Sequence, residues 1–473
     1  MINIEKLKLI IMEKNYILLA FLFSFTMIFM YGFLNGPSVD QYVYDSSNYY
    51  ELSKRFVING NFDFSNYGLS IRGYVFPFII FSYTMLGNLL KLEDSISILL
   101  GNSLFISFLF IFILPSFFNY SKNKYIIIKL LLPILIFMLY WQDLVYYPLS
   151  DIYSYGFLVI AISLIRNTSK IHGYRLLIQG ILIGILLYAT YNIRTIYIFA
   201  IPILIIIKLI CNWKSKIKNN TIYLLIILGI VICSIPQFKI NEINHSKKTI
   251  AVVTDTYGES GGLFNFQLLA GLQLQRYETY IGDLKDYPQP NLGFADGVGN
   301  QLLKIENLNN LEFNQYLRLI FKHPLDYIGI IARHFFNIFH LPYNHVYIKD
   351  ISHNKVFYTI INYTIIYIAA LVLYVNCKKK NTIKFDINMI YLITTIIPCI
   401  AILPGAIEMR FFMPLYCLFY LIIAFFTPLS EIINYVKLNK VRLVISYIVI
   451  LFTLLAIWGS TFNSAQILPQ LLG

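Results

Sequence analysis

A few charged side chains lie directly beside long apolar segments of this sequence. They are Asp45, Asp151, Arg194, Glu408 and Arg410. A carboxylate can take the proton of an alcohol, and an arginine can stabilise a leaving phosphate. An ionisable group at the end of an apolar segment usually faces a protein cavity rather than lipid. These residue types therefore predict a reaction between an alcohol and a phosphorylated donor.

The elements that must position these side chains are membrane-spanning helices. Of the 473 residues, 58% are hydrophobic and only 13% are charged, and the mean hydropathy is +0.66. A segment of about 20 apolar residues crosses the hydrocarbon layer of a bilayer, which is roughly 30 Å thick. Many segments of this chain qualify, for example residues 358–375. The composition therefore predicts an all-α polytopic membrane protein.

The net charge of +13 is carried largely by short loops between the apolar segments. These basic loops are residues 120–124, 166–170, 212–218, 378–380 and 437–442. Lysine and arginine are enriched in the cytoplasmic loops of membrane proteins, where they set the orientation of the chain. The loops and the N-terminus are therefore predicted to be cytoplasmic. The basicity serves membrane insertion, and no nucleic-acid partner is expected.

Eleven segments are predicted to span the membrane, which places the C-terminus outside. They are approximately 16–34, 97–118, 125–142, 149–165, 175–191, 195–211, 221–237, 357–376, 387–403, 410–428 and 443–461. The apolar stretch 176–211 is too long for one span at about 1.5 Å per residue, so a break is expected at Tyr191–Arg194. The segment 71–90 is placed on the outer side, because a crossing there would invert every later basic loop.

Two long outer segments, about 35–96 and 238–356, carry most of the polar residues. The end of the second segment predicts two amphipathic helices that are broken at Pro324 and lie in the interface plane. Three regions follow: a transmembrane module (1–240, with the first outer loop at 35–96), a large extracytoplasmic loop with interfacial helices (241–356) and C-terminal transmembrane helices (357–473).

Ordinary structural roles are an alternative for each candidate residue. Asp45 and Asp151 could cap the helices that they open, because aspartate is a favoured N-cap. Arg194 could be a snorkelling arginine beside the bilayer. Arg410 could simply pair with Glu408.

Other polar residues are expected to serve packing or solvation. Asp143 is interpreted as a solvated loop charge, and Arg72 could meet lipid head groups as well as substrate. His334, His340 and His345 have aromatic, interfacial surroundings. Packing is therefore favoured over metal binding for these histidines.

The order of several features along the chain is distinctive. The first outer loop has an acidic residue, Asp45, then Tyr49 four positions on, an amphipathic helix through Phe56, and Asn-Gly at 59–60. A Gly/Pro-punctuated apolar stretch, IRGYVFP, follows at 71–77.

A second acidic residue, Asp151, opens a later span in PLSDIYSYGFLVIAI, and EMRFFMP at 408–414 has an arginine before an aromatic and a proline. This layout resembles the GT-C superfamily of polyprenyl-phosphate-dependent glycosyltransferases, such as protein O-mannosyltransferases and lipid A aminoarabinose transferases. The resemblance covers roughly residues 15–240, with weaker similarity at 312–340 and 404–416. The Asp-Glu pair of several relatives is Asp-Ser here, and no WWDYG-like motif is present, which disfavours glycosylation of protein sequons.

The resemblance implies a membrane enzyme that moves a sugar from a polyprenyl-phosphate donor to an extracytoplasmic lipid, glycan or protein acceptor, with inversion at the sugar carbon. Asp45 would be the general base for the acceptor hydroxyl. Asp151 would orient the acceptor or help to bind a divalent metal cation. The helix after Asp45 would lie on the outer leaflet, with Tyr49, Leu52 and Phe56 facing the lipid.

Further residues would bind substrate under the same resemblance. Arg194 and Arg410 would hold the donor phosphate, and the set also includes Tyr49, Arg72 and Glu408. The protein would be a multi-pass enzyme of the inner or cytoplasmic membrane, with its active site facing outward.

Two other functions fit an envelope membrane protein. A transporter or flippase should place charged groups or broken helices near mid-bilayer, whereas the candidate groups here gather at the ends of spans. A polymerase or ligase of surface glycans would share the lipid-linked substrate. Its outer loops are often rich in arginine, which fits the loop at 238–356 poorly.

Overall fold

The computed structural model describes ten stretches of the chain. They are residues 4–58, 61–118, 126–168, 173–214, 221–255, 262–281, 292–350, 355–380, 387–426 and 429–462. Asn59, Gly60 and the whole basic loop at 120–124 lie outside these stretches.

Helices make up most of the described chain, and six of them are long and apolar enough to cross a membrane. These six are Asn15–Asn35, Asp94–Phe117, Tyr174–Ile193, Thr221–His245, Lys355–Lys378 and Lys440–Gly459. Shorter apolar helices are Val75–Leu89, Ile126–Trp141, Thr195–Cys211 and Asn388–Ala401. The predicted class, an all-α membrane protein, is confirmed. The number of eleven spans stays a prediction.

The chain forms two compact units. The first comprises Met1–Val253 and Lys384–Pro398, and the second comprises Thr254–Ile383 and Cys399–Gly473. The first unit begins with α1 (Ile4–Asn35), α2 (Tyr44–Lys54), α3 (Val75–Leu89), α4 (Asp94–Phe108), α5 (Ile126–Trp141), α6 (Asp143–Tyr146), α7 (Asp151–Asn167), α8 (Tyr174–Ile193), α9 (Ala200–Lys214) and α10 (Thr221–His245). A short antiparallel hairpin, β1 (Val57–Ile58) and β2 (Asn61–Phe62), follows α2.

Helices α7 and α8 are consecutive antiparallel neighbours, so the start of α7 and the end of α8 meet at one end of the unit. The chain breaks at Arg194, as predicted, and continues as a 3-10 turn, Thr195–Phe199, before α9. Helix α8 packs closely on α10, because Gly184 has no side chain. A Cβ there would lie 2.0 Å from the carbonyl oxygen of Ile226. Small residues allow such close helix packing in membranes.

The apolar face of α2 is covered by α3. The ring centroids of Tyr49 and Phe76 are 4.8 Å apart, and those of Phe56 and Phe78 are 5.8 Å apart. Tyr49, Leu52 and Phe56 are therefore buried inside the protein. The expectation that these side chains face the outer leaflet is wrong, because the segment 71–90 folds back as a helix that occupies the place assigned to lipid.

The second unit begins with a small helical subdomain. It contains α11 (Leu263–Gln273), α12 (Gly297–Ile305), α13 (Phe313–Lys322) and α14 (Pro324–Ile338), and then α15 (Lys355–Lys380) follows. Buried side chains, including Leu272, Leu303, Leu319 and Ile330, form its core. The predicted break at Pro324 between two helices is confirmed.

A small sheet lies beside these helices and was not predicted from the sequence. Strand β3 (Leu274–Tyr280) pairs antiparallel with β4 (Leu292–Ala295) and parallel with β5 (Tyr347–Ile348). After α15 the chain continues through α16 (Ile387–Ile393) and α17 (Ile397–Ala401), and then through α18 (Met413–Phe425), α19 (Leu429–Leu438) and α20 (Lys440–Phe462).

Candidate functional site

The first candidate residue, Asp45, lies in the first turn of α2 and pairs with an arginine. Its Oδ1 is 2.5 Å from Nη2 of Arg72. The N-cap position belongs to Val43, whose backbone N–H donates to the hydroxyl of Ser46 at 3.1 Å. Asp45 is therefore not the N-cap. Its carboxylate is directed to an arginine from a distant part of the chain.

The second candidate, Asp151, makes an equivalent pair. It is the first residue of α7, and the N-cap is Ser150. Nη1 of Arg194 lies 2.8 Å from Oδ1 of Asp151. Oδ2 of Asp151 is buried and has no hydrogen-bond partner among the described residues. This carboxylate therefore has one oxygen that is not engaged by the described protein.

Ser150 and Tyr49 join the two pairs. The hydroxyl of Ser150 accepts hydrogen bonds from Nε of Arg194 at 3.3 Å and from the Tyr49 hydroxyl at 3.1 Å. The guanidinium of Arg72 lies 5.6 Å from the centre of the Tyr49 ring, within the range of a cation–π contact. Asp45 and Asp151 therefore belong to one contiguous set of contacts. We call this set, Asp45, Tyr49, Arg72, Ser150, Asp151 and Arg194, the Asp45–Asp151 cluster.

The loop that carries Arg72 is held against the end of α8. A Cβ on Gly73 would lie 2.0 Å from the carbonyl oxygen of Asn192, so only glycine permits this approach. The side chain of Asn192 accepts a hydrogen bond from the backbone N–H of Val75 at 2.9 Å. The Tyr67 hydroxyl donates to the Gly73 carbonyl at 2.9 Å. These contacts explain why Arg72 and Arg194, which are far apart in sequence, reach the same region.

The other two predicted site residues, Glu408 and Arg410, lie in the second unit. Nε of Arg410 donates to Oε2 of Glu408 at 2.8 Å, and the Thr279 hydroxyl donates to Oε1 of Glu408 at 3.0 Å. The alternative considered for Arg410, a pair with Glu408, is therefore present in the structure. Both side chains are almost fully buried.

A second ion pair, on strand β3, adjoins this one. Arg276 and Glu278 point to the same side of the strand and form a hydrogen-bonded ion pair. Glu278 also accepts the backbone N–H of Met409 at 3.3 Å, and Arg276 donates to the carbonyl of His340 at 2.5 Å. We call Arg276, Glu278, Thr279, Glu408 and Arg410 the Glu278–Glu408 cluster.

Burial changes the acidity of one carboxyl of the Glu278–Glu408 cluster, that of Glu278. Burial raises the pKa of Glu278 to about 7, and the charge of Glu408 adds to the rise. Arg276 opposes the rise but does not cancel it. Removal from water therefore outweighs the ion pair at this carboxyl, as expected when desolvation is complete.

Sequence reasoning missed four residues of the two clusters, Ser150, Arg276, Glu278 and Thr279. Ser150 had a usable signal, because serine directly before a helix is a common N-cap. The other three lie on β3. Its sequence, LQRYETY, has no clear alternation of polar and apolar residues that would predict a strand.

Asp143 and two of the histidines are buried. Asp143 is 1% exposed and accepts a hydrogen bond from the Tyr146 hydroxyl at 2.6 Å. The interpretation of Asp143 as a solvated loop charge is wrong, because α6 folds inward and covers it. The ring nitrogens of His334 lie 2.7 Å from the carbonyl oxygen of Leu403 and 3.0 Å from that of Leu274. His340 lies 3.1 Å from the Tyr363 hydroxyl.

The two aspartates fit a divalent cation poorly. Among the described residues, no group of three or more His, Cys, Asp or Glu side chains could hold a metal ion. At Asp45 and at Asp151 a guanidinium already lies within 2.8 Å of one carboxylate oxygen. A cation bound at either of these two paired oxygens would have to displace the arginine.

The comparisons with known proteins gave no match. No family model, no curated protein and no solved structure is similar enough to this chain to identify a family. The likeness to GT-C glycosyltransferases therefore stays a resemblance carried by the residues quoted above.

Proposed function

We propose that this protein is a membrane glycosyltransferase that moves a sugar from a polyprenyl-phosphate donor to an extracytoplasmic lipid, glycan or protein. In this proposal the chain crosses the cell membrane eleven times with its N-terminus inside. The Asp45–Asp151 cluster then lies at the outer surface, beside α2 and α3. The observation that supports the proposal most strongly is the joining of the Asp45–Arg72 and Asp151–Arg194 pairs through Ser150 and Tyr49.

The ion pair of Asp45 with Arg72 suggests how binding of the donor could prepare Asp45 to act as the general base. An Asp45 carboxylate engaged by Arg72 is a poor proton acceptor, because the arginine favours the ionised form. Arg72 keeps about 30% of its side chain exposed, so it can exchange the carboxylate for an oxygen of the donor phosphate. Phosphate and carboxylate are both good ligands for the guanidinium group. Donor binding would then release Asp45 to act on the acceptor.

The reaction would be a direct displacement. The acceptor oxygen attacks the anomeric carbon of the sugar, and its proton passes to Asp45. The bond between this carbon and the phosphate oxygen breaks, and polyprenyl phosphate leaves on Arg72 and Arg194. Asp151, held by Arg194, would orient the acceptor with its second carboxylate oxygen. One displacement inverts the configuration at the sugar carbon.

Replacing the proposed base tests this function. The protein is placed in nanodiscs and incubated with labelled polyprenyl-phosphate sugars and extracts of its source membranes. Asp45→Asn should lower transfer by about 10²–10⁴-fold, the usual loss for a general base. Glu51→Gln is the matched control on the same helix, because Glu51 is exposed and, among the described residues, forms an ion pair with Lys54 at 3.4 Å. An Asp45→Asn protein as active as the control would remove Asp45 from the mechanism.

A proton-coupled transporter or flippase is the second candidate. The observation that favours it is Glu278, a fully buried carboxyl whose pKa lies near 7. Buried ionisable groups of this kind serve as proton relays in transporters. Uptake or flipping that is driven by a pH gradient and lost in Glu278→Gln would favour this function over transfer.

A further inference from the structure

Helix α14 exposes an apolar stripe on one side. Leu325, Ile328 and Phe335 are 81%, 62% and 52% exposed, and Ala332 lies between the last two. Their spacing of three, four and three residues places all four on one face of the helix. The surface of a water-soluble helix is normally its polar side. Here the exposed side is the apolar side.

The buried side of the same helix is the more polar one. It includes His334 and Asn337, both at most 2% exposed, together with Ile330. The two ring nitrogens of His334 lie 2.7 and 3.0 Å from the backbone carbonyl oxygens of Leu403 and Leu274. A helix with polar groups inside and apolar groups outside is suited to an apolar solvent. Aqueous solvation of the stripe would instead be unfavourable, at roughly 25 cal/mol for each Å² of apolar surface.

The C-terminal end of α14 packs against α15 and α18. The carbonyl of Ile338 accepts a hydrogen bond from the Tyr416 hydroxyl at 3.0 Å, and the carbonyl of Phe339 accepts one from Asn362 at 2.7 Å. The ring of Phe339 stacks on that of Phe419, with centroids 6.4 Å apart.

Asn362 and Phe419 lie well inside α15 and α18. Asn362 is seven residues after the first residue of α15, and Phe419 is six residues after the first residue of α18. At about 1.5 Å per residue, these contacts are roughly 10 Å along each helix. Helix α15 is one of the six described candidate spans. In a bilayer that α15 crosses with its first residue at the surface, the end of α14 therefore lies roughly 10 Å below that surface.

The apolar surface continues beyond the break at Pro324. Phe321, on α13, is 82% exposed and lies four residues before Leu325. The neighbouring Lys322 is also largely exposed. A basic residue next to an aromatic is typical of the zone where acyl chains meet lipid phosphates.

We propose that α14 is embedded in one leaflet of the bilayer, with Leu325, Ile328, Ala332 and Phe335 in contact with the acyl chains of lipids. The occupant of the stripe is lipid, because α14 ends against α15, which is a candidate membrane span, and all four residues of the stripe are apolar. A second copy of the chain would have to displace that lipid. This inference is independent of the glycosyltransferase proposal.

The position of the embedded helix also determines where the Glu278–Glu408 cluster lies. His340, two residues after the end of α14, accepts the hydrogen bond from Arg276. The cluster is thereby fixed near the membrane surface, rather than in a part of the outer loop that projects into water.

Tryptophan quenching tests the inference on the full-length protein. Leu325→Trp, Ile328→Trp and Phe335→Trp are reconstituted separately in vesicles of phosphatidylcholine whose acyl chains carry bromine. Emission of the parent protein, which has three tryptophans, is subtracted. The matched control is Asp326→Trp, one residue from Leu325 on another side of α14, where the side chain is 51% exposed.

The expected result is that the three stripe variants lose most of their added emission to brominated lipid, whereas Asp326→Trp is quenched by aqueous acrylamide. Stripe tryptophans quenched by acrylamide like the control would overturn the proposal, because the stripe would then lie in water. Protection from both quenchers would also overturn it, because a protein partner or a second copy would cover the stripe. The use of three positions guards against a single variant that fails to fold, which gel filtration detects.

Discussion

Each of the two clusters pairs two carboxylates with two arginines, but the clusters differ in their access to solvent. In the Asp45–Asp151 cluster, the arginine side chains are 30% and 13% exposed. In the Glu278–Glu408 cluster, the four charged side chains are at most 7% exposed. An ion pair that reaches solvent can exchange one partner for an incoming anion. A sealed pair cannot do so without opening the fold.

This difference separates a binding role from a structural one. In the proposed reaction Arg72 and Arg194 receive a phosphate, whereas Arg410 pairs with Glu408, which also accepts a hydrogen bond from Thr279. The enclosed position of Glu408 and Arg410 favours a structural role for them. Their predicted contact with substrate would require the second unit to open.

The largest effect is expected when one arginine is removed from each cluster. Arg276→Met leaves the fully buried Glu278 without its partner, which should cost about 3–5 kcal/mol of stability. Arg72→Met breaks a partly exposed pair and should cost less than about 1 kcal/mol. Unfolding of both purified variants in detergent measures the difference. Equal losses of stability in the two variants would contradict the claim that the Arg276–Glu278 pair is more buried than the Arg72–Asp45 pair.

The next largest effect is expected on the rate of sugar transfer. Asp151→Asn keeps the shape of the side chain but weakens its hold on Arg194, so transfer should fall by about 10²-fold. Asp63→Asn is a suitable control, because the hydrogen bonds that the described residues donate to the Asp63 carboxylate come from its neighbours Phe64 and Ser65. Unchanged transfer in Asp151→Asn, with the same folded fraction as the control, would exclude Asp151 from the site.

A pH dependence distinguishes the second cluster. Because burial raises the pKa of Glu278 to about 7, folding favours its protonated form. The protonated Glu278 carboxyl therefore contributes to the stability of the fold at low pH. This contribution is lost as the pH rises from the ordinary pKa near 4.5 through 7. Between pH 5 and 8 this carboxyl should remove about 2 kcal/mol of stability.

Glu278→Gln is neutral at every pH and should remove this part of the slope. Arg276 and Glu408, which face Glu278, stay in place in this variant. Thermal unfolding of both proteins at several pH values measures the slopes. Identical slopes would show that Glu278 does not change its protonation in this range.

The smallest expected effect is at the residue that links the two aspartate pairs. Ser150→Ala removes the hydroxyl shared by Tyr49 and Arg194, which should cost about 1 kcal/mol, or roughly fivefold in transfer. Ser150→Thr keeps a hydroxyl and should retain most activity. If the alanine variant were as active as the threonine variant, the link through Ser150 would have no role.

The lengths of the apolar segments and the position of a proline made much of the helical framework predictable. The apolar run 176–211 is too long for one span, and the chain indeed breaks at Arg194. Pro324 cannot continue a preceding helix, because it lacks the backbone N–H, and α14 indeed begins there. Local signals of this kind need no knowledge of distant residues.

Long-range contacts account for what the sequence did not reveal. Tyr49 and Phe56 form an apolar face, but periodicity does not say whether lipid or α3 covers it. The pairing of Asp45 with Arg72 depends on the close approach of Gly73 to Asn192. Glu278 becomes a buried acid only because β3 lies against the segment that carries Glu408.

The most direct test is to find where a lipid-linked donor binds. A polyprenyl-phosphate sugar with a photoactivatable group beside the phosphate is cross-linked to the reconstituted protein, and the modified peptides are identified by mass spectrometry. We predict labelling of the segments around Asp45–Arg72 and Ser150–Arg194, reduced by unlabelled donor. Labelling confined to the segments around Arg276–Thr279 and Glu408–Arg410, or no labelling that the donor competes, would contradict the assignment of the site.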